Sequence, residues 1–374
     1  MLLLTFLFLI LLSGALVYSI LSIIAAFRYL SVRAPALNFF EPVSILKPLA
    51  GLDDDLESNL QTFFEQDYPN YEILFAVQTL EDPAIEVVKK LQHQYPAIPT
   101  QLVITGVPPY PNAKVFSLDR MMALAKNDLL VMSDSDICVT KNFLQTIAAE
   151  FQDQNLALST CPYRAVAGPS FWTKLEAIGM NTDFISGILV ARMLEGMKFA
   201  VGPTIAARKN KLIPIGGFEK LKDYLAEDFV MGKLMAEAGH GVILSSYVIE
   251  HHIGAQNLAR NAAHRLRWVR STRRSRPSGY IGQLFTMPFM LAVLLVAVNY
   301  HFWPALVGTV LLRFAAAYVV SKKVLRANIS WLLLPVEDFL TFCFWIAGFF
   351  GNTITWRNRR YRLLSDGRFE QITA

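Results

Sequence analysis

The chain begins with an uncharged run, LLLTFLFLILLSGALVYSILSIIAAF, over residues 2–27. That run exceeds the roughly 20 apolar residues a helix needs to cross a bilayer. A cleaved leader would carry a shorter apolar core behind a basic start. Here the first basic residues, Arg28 and Arg33, come after the run. Basic flanks stay cytoplasmic, so the N-terminus is expected outside and the chain from residue 28 inside. The pattern then changes to short strand-like runs alternating with helical spacing. VSILKP (43–48), YEILFAVQ (71–78), TQLVITG (100–106) and the run ending at LLVMS (129–133) read as strands. LESNLQTFFEQ (56–66), AIEVVKKLQHQY (84–95) and residues 116–125 read as helices. This rhythm predicts a parallel α/β sheet, whose ligands sit beyond the carboxyl ends of the strands.

Further on, residues 171–203 are rich in Met, Phe and small residues, which fits either a core helix or an amphipathic helix lying in a membrane surface. TIAAR (204–208) reads as a strand, and the glycine pair in IGGFEKL as a turn. A second apolar block runs from about residue 283 to 355. It predicts spans over 284–299 and 303–320 joined by a tight loop at 300–302, with Lys322, Lys323 and Arg326 marking a return to the cytoplasm. The stretch WLLLPVEDFLTFCFWIAGFFGNT (331–353) is long enough to span, yet carries Glu337 and Asp338 near its start and is followed by WRNRRYR. A re-entrant or interfacial hairpin satisfies both facts, whereas a simple span satisfies one. The expected organisation is an N-terminal anchor (1–27), a soluble domain (35–276), membrane helices (284–354) and a basic tail (355–374).

Composition sharpens this picture. The 374 residues are 53% hydrophobic, with a mean hydropathy of +0.36, and the excess lies in the two terminal blocks. The three cysteines, Cys138, Cys161 and Cys343, are far apart and form no disulfide framework or zinc spacing, which suits a reducing cytosol. The net charge of +5 is concentrated, with Arg260, Arg265, Arg267, Arg270, Arg273, Arg274 and Arg276 just before the second apolar block. Such a run suits anionic lipid; beside a membrane segment and without supporting motifs it argues against nucleic acid. No G-x-G-x-x-G and no Walker A loop occur, which argues against a Rossmann dehydrogenase or a P-loop enzyme.

The chemistry gathers at strand ends. In SDSD, Asp134 and Asp136 follow an apolar strand, and in extended chain both would point to the same side. Paired carboxylates suit a hard divalent cation. In YLAEDFVMGK, Glu227 and Asp228 open a helical run, where either can act as a base or merely cap the helix dipole. HRLRWVR adds guanidinium groups and a flat aromatic wall, apt for a diphosphate and a sugar. Transfer of a sugar from a nucleoside diphosphate to a hydroxyl would use all of these groups.

VSILKPLAG, VQTLEDPA, SDSDI, YLAEDF and HRLRW, in that order, resemble the ceramide glucosyltransferase family. That family lies within the wider group of membrane-bound GT-A glycosyltransferases with a D, D, D, (Q/R)xxRW signature. The resemblance implies a GT-A, Rossmann-like and mostly parallel α/β domain; the apolar runs and their basic flanks add one N-terminal transmembrane helix, a C-terminal helical membrane block and a cytoplasmic face for that domain. It implies that Asp82, Lys47 and Lys114 help hold the donor and that Asp134 and Asp136 bind a divalent cation, Mn2+ or Mg2+. It further implies that Asp228 is the catalytic base and that Arg267 and Trp268 are the RW of the last motif. The sequence departs from the pattern at His264, which stands at the Gln or Arg position. A UDP-sugar donor and a membrane-lipid acceptor are implied, with inversion at the anomeric carbon. UDP-glucose and ceramide are the first choice, UDP-N-acetylglucosamine and a hopanoid the alternative. From another class, Glu337, Asp338 and Arg313 within apolar segments would suit a transporter or a membrane-anchored nucleotide-binding scaffold.

Overall fold

In a computed structural model of the protein, residues 1–356 and 359–372 are described; Arg357, Asn358, Thr373 and Ala374 of the expected basic tail lie outside the described residues. The chain divides into two compact units. One comprises residues 33–163 and 197–254, the other residues 1–32, 164–196 and 255–374.

The first unit is built on a seven-stranded sheet. Its strands run in the order Thr100–Ile104, Tyr71–Val77, Val43–Pro48, Leu129–Ser133, Thr204–Arg208, Leu156–Thr160, Gly241–Leu244. The first four are mutually parallel, as their helix-separated sequence pattern predicts. Thr204–Arg208 runs against both of its neighbours. Helices Leu56–Phe64, Ala84–Gln94 and Ala113–Leu124 fall at the positions the periodicity predicts. Leu46, Leu74 and Met132 of the sheet, Leu118 and Met121 of one helix, and Met231 and Met235 of the helix Glu227–Glu237 form one buried cluster. Each such side chain contributes about 1.5–3 kcal/mol on burial. This rigid layer sets the height of the loops at the carboxyl ends of the strands.

The second unit is mainly helical. Among the described residues, four of its helices are long and apolar enough to cross a membrane: Leu2–Leu30, Phe171–Glu195, Tyr300–Val324 and Trp331–Gly348. The pair Pro277–Thr286 and Pro288–Val298 passes the same test together but is bent by 66°. The break falls at Pro288, which can give no backbone hydrogen bond. Leu12 and Ala15 of the first helix pack on Leu291, Ala292 and Leu295. The predicted loop at 300–302 is a 3-10 turn.

One expectation changes here. Residues 331–348 form a single helix, a 3-10 turn leading into Leu334–Gly348, and not a hairpin. The acids that argued against a simple span are neutralised inside the unit. Arg265 grips Glu337 with two hydrogen bonds of 2.7 and 2.9 Å, and Arg313 grips Asp338 at 2.6 Å and Asp183 at 3.0 Å. Strands form around and within the basic segment that follows. Thr353–Trp356, Arg359–Leu363 and Phe369–Gln371 make a three-stranded antiparallel sheet.

Candidate active site

Lys47, Asp82 and Asp134 all lie at or just past the carboxyl ends of parallel strands, where the fold leaves backbone groups unpaired. Asp134 and Asp136 are not in extended chain as the alternation implied, because residues 135–136 form a turn. The Asp134 N–H donates to Pro203 O at 3.0 Å, one step beyond the Ser133–Thr204 pair of the sheet, and after it the Ser135 hydroxyl donates to Asp53. The two carboxylates consequently take different partners. Lys114 Nζ lies 2.6 Å from Asp134 Oδ1 and 3.4 Å from Glu227 Oε1. His251 Nε2 lies 3.1 Å from Asp136 Oδ2. Burial raises Asp134, opposed by Lys114 and reinforced by Asp136. Burial also pushes Asp136 upward, but His251 and Lys47 hold it below its ordinary value.

Lys47 is fully buried beneath this turn. Its ammonium donates to Asp134 O at 2.6 Å and to Ser133 Oγ at 3.3 Å, and it rests 3.7 Å from the centre of the Phe63 ring. Burial lowers its pKa to about 7, against the pull of Asp134 and Asp136. It therefore fixes the backbone of the aspartate turn. Asp82 likewise serves the backbone. Both of its oxygens accept from Gly51 N at 3.1 Å and one accepts from Ala84 N at 3.0 Å, tying the loop after Val43–Pro48 to the start of the helix Ala84–Gln94.

Glu227 and Asp228 open the helix Glu227–Glu237. Glu227 turns inward, accepting from Asn112 Nδ2 at 3.3 Å, while Asn112 also caps the helix of Lys114 through Val115 N at 3.1 Å. Asp228 packs against Gly202. Burial first, then Glu227 and Asp134, raise its carboxyl to about 7, with Lys114 opposing. Two glycines make this approach possible. A Cβ at Gly232 would lie 2.3 Å from Ala200 N, and one at Gly202 would lie 2.8 Å from Asp228 Oδ2. Sequence reasoning passed over both, although a glycine inside a helical run is itself a sign of close packing. Gly202→Ala is expected to displace the Asp228 carboxylate and lower kcat about a hundredfold while donor binding persists. Steady-state kinetics with an unchanged kcat would remove Asp228 from that position.

Arg267 and Trp268 belong to the second unit, on the helix Leu258–Ser275. The Trp268 ring packs on Phe184 at 5.2 Å and on His264 at 5.4 Å. His264, the departure from the motif, pairs through Nδ1 with Glu176 Oε1 at 2.5 Å. Glu176 also accepts from Asn261 Nδ2 at 2.5 Å. A buried carboxylate thus orients the imidazole beside the motif tryptophan, and nothing in the local sequence pattern pointed to Glu176. Arg267 lines a cavity with Arg270, Arg360 and Thr353. Several arginines of the basic run act as internal clamps. Arg270 donates to Phe350 O at 3.1 Å and Thr353 O at 2.6 Å, and Arg273 donates to Phe349 O and to Gly351 O. They satisfy carbonyls at and beyond the end of the helix Leu334–Gly348.

The acidic turn fits a divalent cation. Asp136 Oδ1 is buried and has no hydrogen-bond partner among the described residues, which is costly unless a ligand completes it. The donors there are carboxylate oxygens, the ligand type of hard ions.

These features match known proteins. A mannosyltransferase from Pyrobaculum calidifontis, solved with GDP-Man and Mn2+, superposes with a TM-score of 0.57 at 18% identity, covering 92% of this chain and 97% of that one. The fold is therefore GT-A. Residues 6–369 match the family model of glycosyl transferase family 21, and the chain belongs to that family. Among curated relatives, ceramide glucosyltransferase 1 of Caenorhabditis elegans is 30% identical over 207 residues, 55% of this chain and 44% of that protein. Ceramide glucosyltransferase 3 of the same organism is 25% identical over 349 residues, 87% of this chain and 73% of that protein. The chain thus spans less than half of the first of these relatives.

Proposed function

We propose that this protein transfers a hexose from a UDP-sugar to the hydroxyl of a membrane lipid, with inversion at the anomeric carbon. The observation that carries the reading is the meeting of Asp134, Asp136, Lys114 and a half-buried Asp228 with a pKa near 7 at the carboxyl edge of a GT-A sheet. Family membership and the apolar helices support a lipid acceptor. Of the acceptors, ceramide is the first choice and UDP-glucose its donor, in line with the names of the relatives. The sheet-bearing unit is assigned to the cytoplasmic face by the basic residues that follow the first apolar run.

In this reading the acceptor oxygen attacks the anomeric carbon, its proton passes to the Asp228 carboxylate, and the bond from that carbon to the UDP oxygen breaks. Lys114 stays charged, because Asp134 and Glu227 offset the burial that opposes it and raise its pKa. It is assigned to the departing phosphates. A divalent cation held by Asp134 and Asp136 would neutralise charge on the diphosphate. Lys47 and Asp82 act through the loops they brace.

The decisive assay incubates the protein with radiolabelled UDP-sugars and lipid extracts and identifies the product by mass. A glucosylated ceramide supports the full reading, an N-acetylglucosaminylated hopanoid moves the donor and acceptor, and no lipid product with any donor overturns it. Asp136→Ala is expected to weaken donor binding in the presence of Mn2+ while leaving metal-free binding unchanged. A calorimetric titration with identical metal dependence would take Asp136 out of the cation site.

A further inference from the structure

A second cluster of donor groups sits behind the acidic turn and takes no part in the proposed transfer. Strands Ile137–Cys138 and Ile249–His252 pair antiparallel, with Glu250 opposite Cys138 and His251 opposite Ile137. Directly opposed residues share a face, and alternation returns His252 to the face of Glu250. One face of this ribbon therefore presents Cys138, Glu250 and His252, and the other presents His251 to Asp136. The thiol sulfur, a carboxylate oxygen and an imidazole nitrogen of the three residues all lie within 4.8 Å of one another. His252 Nε2 and Glu250 Oε2 are 3.2 Å apart, and all three side chains are half-buried.

We propose that Cys138, Glu250 and His252 form a metal site for a borderline divalent ion of the zinc class, separate from the hard-cation pair Asp134 and Asp136. The donor set is what selects the ion. Thiolate and imidazole favour zinc, whereas magnesium and calcium prefer all-oxygen shells. Bonds of about 2.0–2.3 Å in a tetrahedron set ligand atoms roughly 3.5 Å apart, so small side-chain rotations close the present spacing. Three protein ligands leave the fourth position to water. Binding would release the thiol proton of Cys138 to solvent, and its oxidation state would not change.

The site has a mechanical consequence. The His252 N–H donates to Asp136 O at 2.8 Å, and His251, on the opposite face, holds the Asp136 carboxylate. An ion that clamps Cys138 to Glu250 and His252 pins both strands on which Asp136 depends. The site requires neither sugar donor nor lipid acceptor, so it stands or falls independently of the transfer reading.

The test uses the full-length protein in detergent, stripped with a chelator and titrated with Co2+ as a spectroscopic substitute for zinc. The expected result is a thiolate-to-cobalt charge-transfer band that saturates at one thiolate-bound ion per chain and is displaced by Zn2+ but not by Mg2+. The band should be lost in Cys138→Ser and in His252→Gln, and kept in Cys343→Ser and Asp134→Asn. Size-exclusion profiles and thermal transitions identify the folded variants; if Cys138→Ser does not fold, His252→Gln, which keeps a polar side chain, decides. Absence of the band in the wild type, its persistence in a folded Cys138→Ser or His252→Gln variant, or its loss in Cys343→Ser overturns the site.

Discussion

Asp228→Asn is expected to lower lipid glycosylation by about 10²–10⁴-fold, the usual contribution of a positioned base, while leaving UDP binding intact and making the fold more stable. The first part follows from the role proposed for the carboxylate. The second follows from its electrostatics. Burial, Glu227 and Asp134 raise the Asp228 pKa to about 7, whereas in the unfolded chain it would be about 3.9. Between those values the folded protein holds a proton that the unfolded chain has released, so stability falls as pH rises from about 4 to about 7. Above that window the cost of the charge is fully present. Asparagine removes it, for a gain of roughly 1–2 kcal/mol at pH 8 after allowing for the solvent that reaches this half-buried side chain. The wild type should lose kcat/KM below about pH 7, roughly tenfold per unit, as the base is protonated. Thermal unfolding and pH–rate profiles check both parts. A variant with substantial turnover, or one that melts earlier at pH 8, would show that Asp228 is a helix cap and not a strained base.

Much of the fold was legible because local pattern and tertiary position agree. The strands at 43–48, 71–77, 100–104 and 129–133 are short apolar runs with helices between them, and the sheet uses each in the expected direction. The candidate site was legible in its residues and less so in its geometry. Lys114, Asp134, Asp136 and Asp228 do gather in one unit, but periodicity cannot report that residues 135–136 turn or that Lys47 is buried under them. Both depend on contacts between strands distant in sequence. The same holds for His264, whose partner Glu176 lies 88 residues away. The helix at 331–348 departs from the expected hairpin for a related reason: its acids look unfavourable for a span until their arginines, from two other helices, are known.

Those arginines support the second large prediction. Arg313 is buried within an apolar helix and holds Asp183 and Asp338, whose carboxylates approach it to 3.0 and 2.6 Å. The helix changes to a π turn over Met180–Phe184, and it is this turn that carries Asp183. Gly179, just before it, lies so close to Glu337 that a Cβ there would meet Oε1 at 2.5 Å. The charges in these segments are thus tied to one another, which accounts for them without a transport pathway. Removing one member of such a group leaves the others uncompensated, at a cost of about 3–5 kcal/mol. Arg313→Leu is therefore expected to give little folded protein, or a sharply lower thermal transition in detergent. Adding Asp183→Asn and Asp338→Asn to it should recover most of the loss, since neutral groups need no counter-charge and packed apolar replacements for buried ion pairs are often tolerated. The triple variant separates two roles. If it folds and still glycosylates lipid, the cluster only joins helices; if it folds and is inactive while UDP binding persists, the ion group also shapes the path by which the acceptor arrives. An Arg313→Leu single variant as stable as the wild type would refute the pairing itself.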